Sequence, residues 1–350
     1  MAIHIKDLTV GTYRGLKELS LSGFNHVNIF TGDNNVGKTS VLELLQSAAG
    51  IKSTVSFIRM ILNHASQSIF TDVSGIFPVG AASYQVEYSY TESNGEKHNV
   101  VIERKLSDIQ LPEKEFLRRQ GIIRTGRSKV TEEKIINTKQ MDIYIYEGNE
   151  KISFSVLKGQ SVLKAETNEG GRISVVFVRP FDHTSRRLDI DELLKNNKLH
   201  DELNGILRDF DSSILDLSKF ENEYLVRTTT CDELIPLSYF GDGMKKVVRI
   251  LSGVLQAQNG ILLLDEFETA IHTSAMDSFF AWILNTARTY NVQVFITSHS
   301  DEAITKLLNL SEFESGINLY TLYKKEGKTV GRKVTCAEAL KLKRAGLELR

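Results

Sequence analysis

The residues most able to do chemistry in this chain form a glycine-rich segment suited to binding phosphate. Residues 32–39 match the pattern G-x-x-x-x-G-K-[ST] at every fixed position, with a strand pattern before them and a helical pattern after them. The glycines let backbone N–H groups converge on phosphate oxygens, and the positive end of the helix adds to the attraction. Lys38 would reach the β- and γ-phosphates, and the Thr39 hydroxyl would hold Mg²⁺. The predicted nucleotide-contacting residues are Gly32, Asp33, Asn34, Asn35, Val36, Gly37, Lys38, Thr39 and Ser40.

Two carboxylates follow an apolar run much later in the chain. Residues 261–264 are Ile-Leu-Leu-Leu, which is typical of a buried central strand, and Asp265 and Glu266 come directly after it. Open α/β sheets bind their ligands at this end of the strands. Asp265 would complete the Mg²⁺ shell, and Glu266 is placed to polarise an attacking water as a general base.

The separation of these two motifs distinguishes classes of nucleotide-binding protein. Asp265 follows Lys38 by 227 positions, which is too far for a compact kinase, GTPase or AAA+ module. A GTPase would also carry Asn-Lys-x-Asp to read guanine, and the nearest string, residues 197–200, ends in histidine. The sequence therefore argues against these three classes.

A second anion site is predicted at residues 237–243, which open another helical pattern. Ser238, Gly241 and Gly243 stand at the start of this helix, where N–H groups are free and the helix dipole is positive. One nucleotide cannot easily use both sites of one chain, so the economical geometry is two chains facing head to tail. A capped helix that follows a glycine turn is the alternative interpretation.

A histidine follows the next predicted strand, residues 292–297. His299 is expected to contact the γ-phosphate and orient the attacking water, although a lone histidine at a strand end often has a structural role. Glu268 and His272 lie in the stretch where the two chains of such a dimer would exchange contacts.

Together with Tyr-Arg-Gly-Leu at residues 13–16, these motifs resemble those of the ABC-type ATPases of the RecF/SMC/OLD group. The resemblance is greatest to stand-alone bacterial ATPases of the AAA15/AAA21 or OLD-like type. It implies a P-loop ABC-type head that binds ATP and Mg²⁺, and a homodimer that sandwiches two ATP molecules. In that dimer Ser238 touches the γ-phosphate held by the other chain, Glu266 is the base, His299 is the switch histidine and Arg14 lies near the nucleotide.

The sequence departs from the family pattern in two places. The family's Mg²⁺-sensing glutamine is missing near residues 178–182, where either Asp182 or another residue would replace it or the loop would serve only as a coupling element. The signature, residues 238–243, reads Ser-x-x-Gly-x-Gly rather than Ser-Gly-Gly. Only 51 residues follow His299, too few for the Toprim nuclease of many OLD proteins, so no nuclease domain is expected in this chain.

The resemblance also suggests three roles for the ATPase. The first is a switch that controls a separately encoded effector, a nuclease or toxin, in anti-phage defence. The second is a RecF-like, ATP-gated DNA-binding protein of repair or replication. The third is a sensor that holds a toxin inactive and barely turns ATP over.

The elements that must position these residues predict an α/β fold in two parts. An ATPase core would comprise residues 1–50 and 170–350, and a β-rich lobe, residues 51–170, would be inserted into it. Strands are expected within 84–104, 141–156 and 173–178, and helix from 189 to 220. Helices are also expected from 243, 274 and 301, with a hairpin over 317–334 and a short basic helix at the end. No sustained heptads occur, so no long coiled coil is expected.

Composition sets the remaining limits. Of 350 residues 41% are hydrophobic, the formal net charge is −1, and only two cysteines occur, which suits a reducing cytoplasm. No apolar run is long enough to span a membrane. One local basic cluster lies in the predicted lobe, at residues 114–129, and is expected to be a mobile loop that contacts DNA or an acidic partner, or simply a solvated loop. Its basic residues are Lys114, Arg118, Arg119, Arg124, Arg127 and Lys129.

Overall fold

The computed structural model of the chain describes residues 3–63, 68–78, 85–120, 134–160, 172–180, 182, 190–221, 223–271, 273–310, 315–347 and 349. The strands are β1 (Ile5–Tyr13), β2 (Leu16–Ser22), β3 (Val27–Gly32), β4 (Gln85–Glu92), β5 (Lys97–Pro112), β6 (Ile135–Glu147), β7 (Glu150–Leu157), β8 (Val175–Val178), β9 (Ile214–Phe220), β10 (Glu223–Thr228), β11 (Ile235–Pro236), β12 (Ile261–Leu264), β13 (Gln293–Thr297), β14 (Ile317–Lys325) and β15 (Lys328–Thr335). The helices are α1 (Lys38–Gln46), α2 (Ile51–Asn63), α3 (Ile69–Ser74), α4 (Glu113–Arg119), α5 (Asp191–Lys195), α6 (Asn197–Phe210), α7 (Asp242–Gln256), α8 (Thr273–Thr289), α9 (Asp301–Leu308) and α10 (Cys336–Arg344).

A six-stranded sheet of order β15-β14-β3-β13-β12-β8 forms the centre of the molecule. All of its strands run parallel except β15, which pairs antiparallel with β14. Leu262 and Leu264 of β12 point into one hydrophobic core, and Ile261 and Leu263 point into a second core on the opposite face. Because both faces of the sheet are covered, its central strands are apolar throughout, as the sequence predicts.

One layer packs on each face of the central sheet, and a hydrophobic core lies between the sheet and each layer. Helices α6 to α10 contribute buried side chains to one core. Helix α1 and a second sheet, of order β2-β1-β4-β5-β6-β7, contribute to the other. The α/β class that the sequence predicts is confirmed by this layering.

The second sheet joins parts of the chain that the sequence assigns to different domains. Strand β1 pairs antiparallel with β2 on one side and with β4 on the other, so the strands within residues 85–157 continue a sheet that begins in residues 5–22. The β-rich character of this region agrees with the prediction. The division into a core and an inserted lobe stays a prediction.

The structure corrects the interpretation of residues 189–220 as helical throughout. Helices α5 and α6 occupy 191–210, but β9 follows and pairs with β10, which in turn pairs with β11. The apolar residues Ile214, Leu217 and Phe220 are three apart and fit a helix face, whereas the strand is stabilised by antiparallel pairing with β10, which begins only three residues after β9 ends.

The basic cluster also differs from its prediction. Lys114, Arg118 and Arg119 lie on helix α4 rather than in a loop, and Arg119 pairs with Glu115 at 2.7 Å. Arg124, Arg127 and Lys129 lie outside the described residues.

The described helices have from 5 to 17 residues, an ordinary range for a globular protein. The longest, α8, has 17 residues, so the described part of the chain contains no long coiled coil. None of these helices is both long and apolar enough to cross a membrane.

Candidate active site

The glycine-rich segment connects β3 to α1 at the carboxyl end of the central sheet. Gly32 has φ of 133°, and a Cβ there would lie 2.1 Å from the carbonyl oxygen of Leu322. Gly37 precedes α1 with φ of 104°, and a Cβ there would lie 2.4 Å from a methyl group of Leu16. Backbone conformation and packing therefore both require glycine at the two fixed positions of the motif.

Lys38 folds back over this loop. Its Nζ donates hydrogen bonds of 2.8 Å to the carbonyl oxygens of Gly32 and Asp33, and the residue is 5% exposed. Burial lowers the pKa of Lys38, and the nearby carboxylates of Asp265 and Glu266 oppose that shift. The ammonium group therefore stands at the phosphate loop, held by backbone oxygens that a phosphate group can replace.

Thr39 and Asp265, the two predicted Mg²⁺ ligands, are in direct contact. The Thr39 hydroxyl lies 3.0 Å from Oδ2 and 3.2 Å from Oδ1 of Asp265. The Asp265 backbone N–H donates to the carbonyl of Val178 at 3.0 Å, and the Thr297 hydroxyl donates to Oδ1 at 2.5 Å. A hydroxyl and a carboxylate are the hard oxygen donors that Mg²⁺ prefers, so this pair fits the ion.

Glu266 is held in an unusual backbone conformation at the end of β12. Its φ is 44°, in the left-handed region that a side chain of this size rarely adopts. The Thr297 hydroxyl accepts its N–H at 2.8 Å, and Nζ of Lys246 donates to its carbonyl at 2.9 Å. These two contacts fix the peptide groups on both sides of Glu266.

The side chains of Glu266 and His299 meet over the phosphate loop. Nε2 of His299 lies 3.7 Å from Oε1 of Glu266, and both side chains are about two-fifths exposed, at 37% and 41%. They share a cavity of about 550 Å³ with the loop, lined by Gly15, Asn34, Asn35, Gly37, Lys38, Thr39, Ser40, Glu266 and His299. The structure thus brings the predicted base and the predicted switch histidine beside the predicted phosphate site.

Arg14 is not among the residues that line this cavity. Its guanidinium lies 3.1 Å from Oε1 of Glu43, and the Tyr13 hydroxyl donates to Oε2 of the same carboxylate at 2.9 Å. Burial raises the pKa of Glu43, and Arg14 opposes that shift. Arg14 lines a second cavity of about 410 Å³, which also reaches Thr39 and Asp265.

The predicted signature turn, residues 237–243, lies outside the cavity of its own chain. Residues 237–239 form a single 3-10 turn, in which Ser238 is exposed, and α7 begins at Asp242 directly after Gly241. Gly243 packs so closely that a Cβ would lie 2.8 Å from the carbonyl oxygen of Ala270. Within one chain the structure therefore does not bring Ser238 to the phosphate loop.

Two further predicted positions can be placed only in part. Asp182 accepts a hydrogen bond from the Arg179 backbone N–H at 3.0 Å, which makes it part of a local turn, and its role in place of the missing glutamine stays a prediction. Glu268 contacts the loop of residues 298–300 in its own chain. His272 lies outside the described residues.

Sequence reasoning missed two residues that hold the site together, Thr297 and Lys246. Thr297 is the last residue of an apolar strand, and no sequence pattern marks its hydroxyl as part of the site. Lys246 does carry a signal, because it stands beside Val247 and four residues before Ile250 on the apolar face of α7. A charged residue at such a position needs a specific partner.

Comparisons with known proteins agree with this geometry. A family model described as "AAA domain, putative AbiEii toxin, Type IV TA system" matches residues 171–305. A curated protein of Helicobacter pylori, named ATP/GTP phosphatase, is 24% identical over 324 residues, which span 86% of each chain.

Solved structures of SMC head domains share the fold. One is an SMC head bound to the C-terminal winged-helix domain of ScpA, with a TM-score of 0.51, 12% identity, and coverage of 96% of this chain and 99% of that one. Another is an SMC head with an extended coiled coil bound to the C-terminal domain of ScpA derived from Pyrococcus furiosus. It has a TM-score of 0.51, 9% identity, and coverage of 98% of this chain and 99% of that one. The family model and the curated relative make the chain similar to P-loop ATPases of this kind, and the SMC head structures show that it shares the fold of an ABC-type ATPase head.

Proposed function

We propose that the chain hydrolyses ATP with Mg²⁺ in a head-to-tail dimer and that the engaged dimer switches a separately encoded effector, a nuclease or a toxin. One observation carries this proposal. The phosphate loop, Glu266 and His299 share one cavity of about 550 Å³, while the exposed Ser238 stands outside it. The site therefore holds the groups for hydrolysis but lacks the signature serine, which a second chain would supply.

The chain's own groups suggest how hydrolysis proceeds. Lys38 exchanges the carbonyls of Gly32 and Asp33 for oxygens of the β- and γ-phosphates. The carboxylate of Glu266 takes a proton from a water molecule as the water oxygen bonds to the γ-phosphorus. The bond from that phosphorus to the bridging oxygen breaks, and ADP leaves with the bonding electrons.

The Mg²⁺ ligands and His299 complete the site in this proposal. Thr39 and Asp265 would hold Mg²⁺, which when bound neutralises phosphate charge. The imidazole of His299, close to Glu266, donates to the γ-phosphate and keeps the water in line.

Two findings support the dimer and the effector. The predicted signature turn leads into α7, a helix of 15 residues. The N-terminus of this helix can bind a phosphate group of the nucleotide that a facing chain holds. The description of the matching family model names a toxin and a type IV toxin–antitoxin system, which suggests an effector of that kind, as in phage-defence systems.

Phosphate release and ATP binding test the catalytic part of the proposal. Lys38→Ala removes the loop's only side-chain cation and should abolish ATP binding in calorimetry, whereas Glu266→Gln should bind ATP and release almost no phosphate. The matched control is Lys306→Met, because Lys306 of α9 pairs with Asp277 at the surface and should retain wild-type activity. Wild-type binding by Lys38→Ala, or wild-type hydrolysis by Glu266→Gln, would refute the assignment.

Purification of the tagged Glu266→Gln chain from its native operon, with ATP, tests the effector. A separately encoded nuclease or toxin should be retained with ATP and lost with Lys38→Ala. Retention of duplex DNA alone would instead favour the RecF-like alternative.

A further inference from the structure

Lys246 is a buried ammonium group in α7. It is 1% exposed, and its Nζ donates to the carbonyl of Glu266 at 2.9 Å. Burying a charged amine costs free energy unless anionic groups surround it. Burial lowers the pKa of Lys246 to about 8, and the carboxylate that opposes this shift most is Glu268. A group this costly at such a position indicates a specific role.

Glu268 connects the surroundings of Lys246 to the loop of residues 298–300, which contains His299. Its Oε1 accepts hydrogen bonds from the Ser298 hydroxyl at 2.8 Å and from the backbone N–H groups of His299 at 3.0 Å and Ser300 at 3.1 Å. Its Oε2 is buried and has no hydrogen-bond partner among the described residues. One carboxylate therefore fixes the His299 backbone while it stabilises the charge of Lys246.

Helix α7 connects this pair to the exposed signature turn. The helix begins at Asp242, so Lys246 lies about 6 Å along the axis from its first residue. The close contact between Gly243 and the carbonyl of Ala270 joins the first turn of α7 to the segment that contains Glu266 and Glu268. This packing gives a direct route by which a displacement of the first turn of α7 would reach that segment.

We propose that Lys246 is a positioning residue that links the signature turn to both Glu266 and His299 of the same chain. When the turn engages nucleotide on a partner chain, α7 shifts, and Lys246 adjusts the Glu266 backbone and, through Glu268, the His299 loop. Each chain thereby responds to the nucleotide that the other chain holds. The inference rests on the proposed function, because it requires a dimer that hydrolyses ATP.

The test is the phosphate-release rate per chain, measured against chain concentration, for wild type and Lys246→Met. The wild-type rate should rise with concentration as dimers form. Lys246→Met should bind ATP within about threefold of wild type and still form the ATP-dependent dimer in the Glu266→Gln background. At high concentration its kcat should be lower by about 10- to 100-fold, because small misplacements of catalytic groups cost that much. Lys306→Met, the same change on a surface helix, should follow the wild-type curve.

A second variant keeps the inference testable if Lys246→Met fails to fold. Glu268→Gln retains an acceptor oxygen for the loop of residues 298–300 but removes the charge that faces Lys246. It should lose the same rise in rate with concentration while keeping its ATP affinity.

The possible outcomes separate the two proposals. If Lys246→Met or Glu268→Gln is folded and follows the wild-type curve, or if either loses the dimer itself, the positioning role is wrong while the proposed function stands. If the wild-type rate per chain does not depend on concentration, the proposed dimeric mechanism fails, and the role of Lys246 fails with it.

Discussion

Replacing Thr297 by valine tests how the site holds Glu266. The Thr297 hydroxyl donates to Oδ1 of Asp265 at 2.5 Å and accepts the Glu266 N–H at 2.8 Å, and the residue is completely buried. Valine has nearly the same shape, so the substitution removes both hydrogen bonds without opening a cavity. It leaves the Glu266 N–H without its acceptor and removes one hydrogen-bond donor from the Asp265 carboxylate.

The expected magnitudes follow from these two bonds. A hydrogen bond to a charged group contributes about 1.5–3 kcal/mol, and an unsatisfied buried N–H costs about 1–3 kcal/mol. We therefore expect the free energy of unfolding to fall by about 2.5–6 kcal/mol. Every ~1.4 kcal/mol that appears as lost positioning of Glu266 lowers kcat tenfold, so kcat should fall about 10- to 100-fold. ATP affinity should change little, because Thr39 still contacts Asp265.

Phosphate release at saturating ATP, calorimetry of ATP binding and urea unfolding give the three quantities. The matched control is Thr31→Val in β3, because the Thr31 hydroxyl is equally buried and has no hydrogen-bond partner among the described residues. That variant should keep its activity and have an unchanged or higher free energy of unfolding. Wild-type kcat in Thr297→Val, or equal losses in both variants, would refute this account of the Glu266 backbone.

Three other outcomes are expected. Gly37→Ala should lose ATP binding and destabilise the fold by about 1–3 kcal/mol, because its Cβ would lie 2.4 Å from a leucine methyl of β2. The control, Gly205→Ala in α6, should be stabilising in thermal melts, because a Cβ there has open space. Burial raises the pKa of Tyr88 from 10.0 to about 12, so the stabilisation present below pH 10 should be lost as pH rises to 12, and Tyr88→Phe should show a flatter unfolding profile in that range. Charge reversal at Arg118 and Arg119 should weaken partner or DNA binding in pull-down and gel-shift assays and leave hydrolysis within about twofold, because distant surface charges are screened by salt.

The phosphate loop and the two carboxylates after β12 could be predicted because each motif is contiguous in the sequence. Gly32 and Gly37 reflect backbone conformations that other residues rarely adopt, and the run of residues 261–264 reflects a strand covered on both faces. In such cases the residue type itself carries the structural information.

Other features depend on contacts that no local pattern contains. The pairing of β1 with β4 joins segments about 80 residues apart. Lys246 stands next to Lys245, which pairs with Asp242 near the surface, and although its place on the apolar face of α7 indicates burial, the sequence does not show which group it contacts. Only the tertiary structure shows that Lys246 reaches Glu266.

The mass of the Glu266→Gln chain in solution, measured by light scattering with and without ATP, shows whether two chains engage through their ATP sites. We expect a monomer without nucleotide and a dimer with ATP, because unhydrolysed ATP should hold two heads together. Adding Ser238→Arg should prevent this dimer through bulk and charge beside the γ-phosphate of the facing site. A Glu266→Gln chain that stays monomeric while saturated with ATP, or a double mutant that dimerises equally well, would refute the head-to-tail dimer.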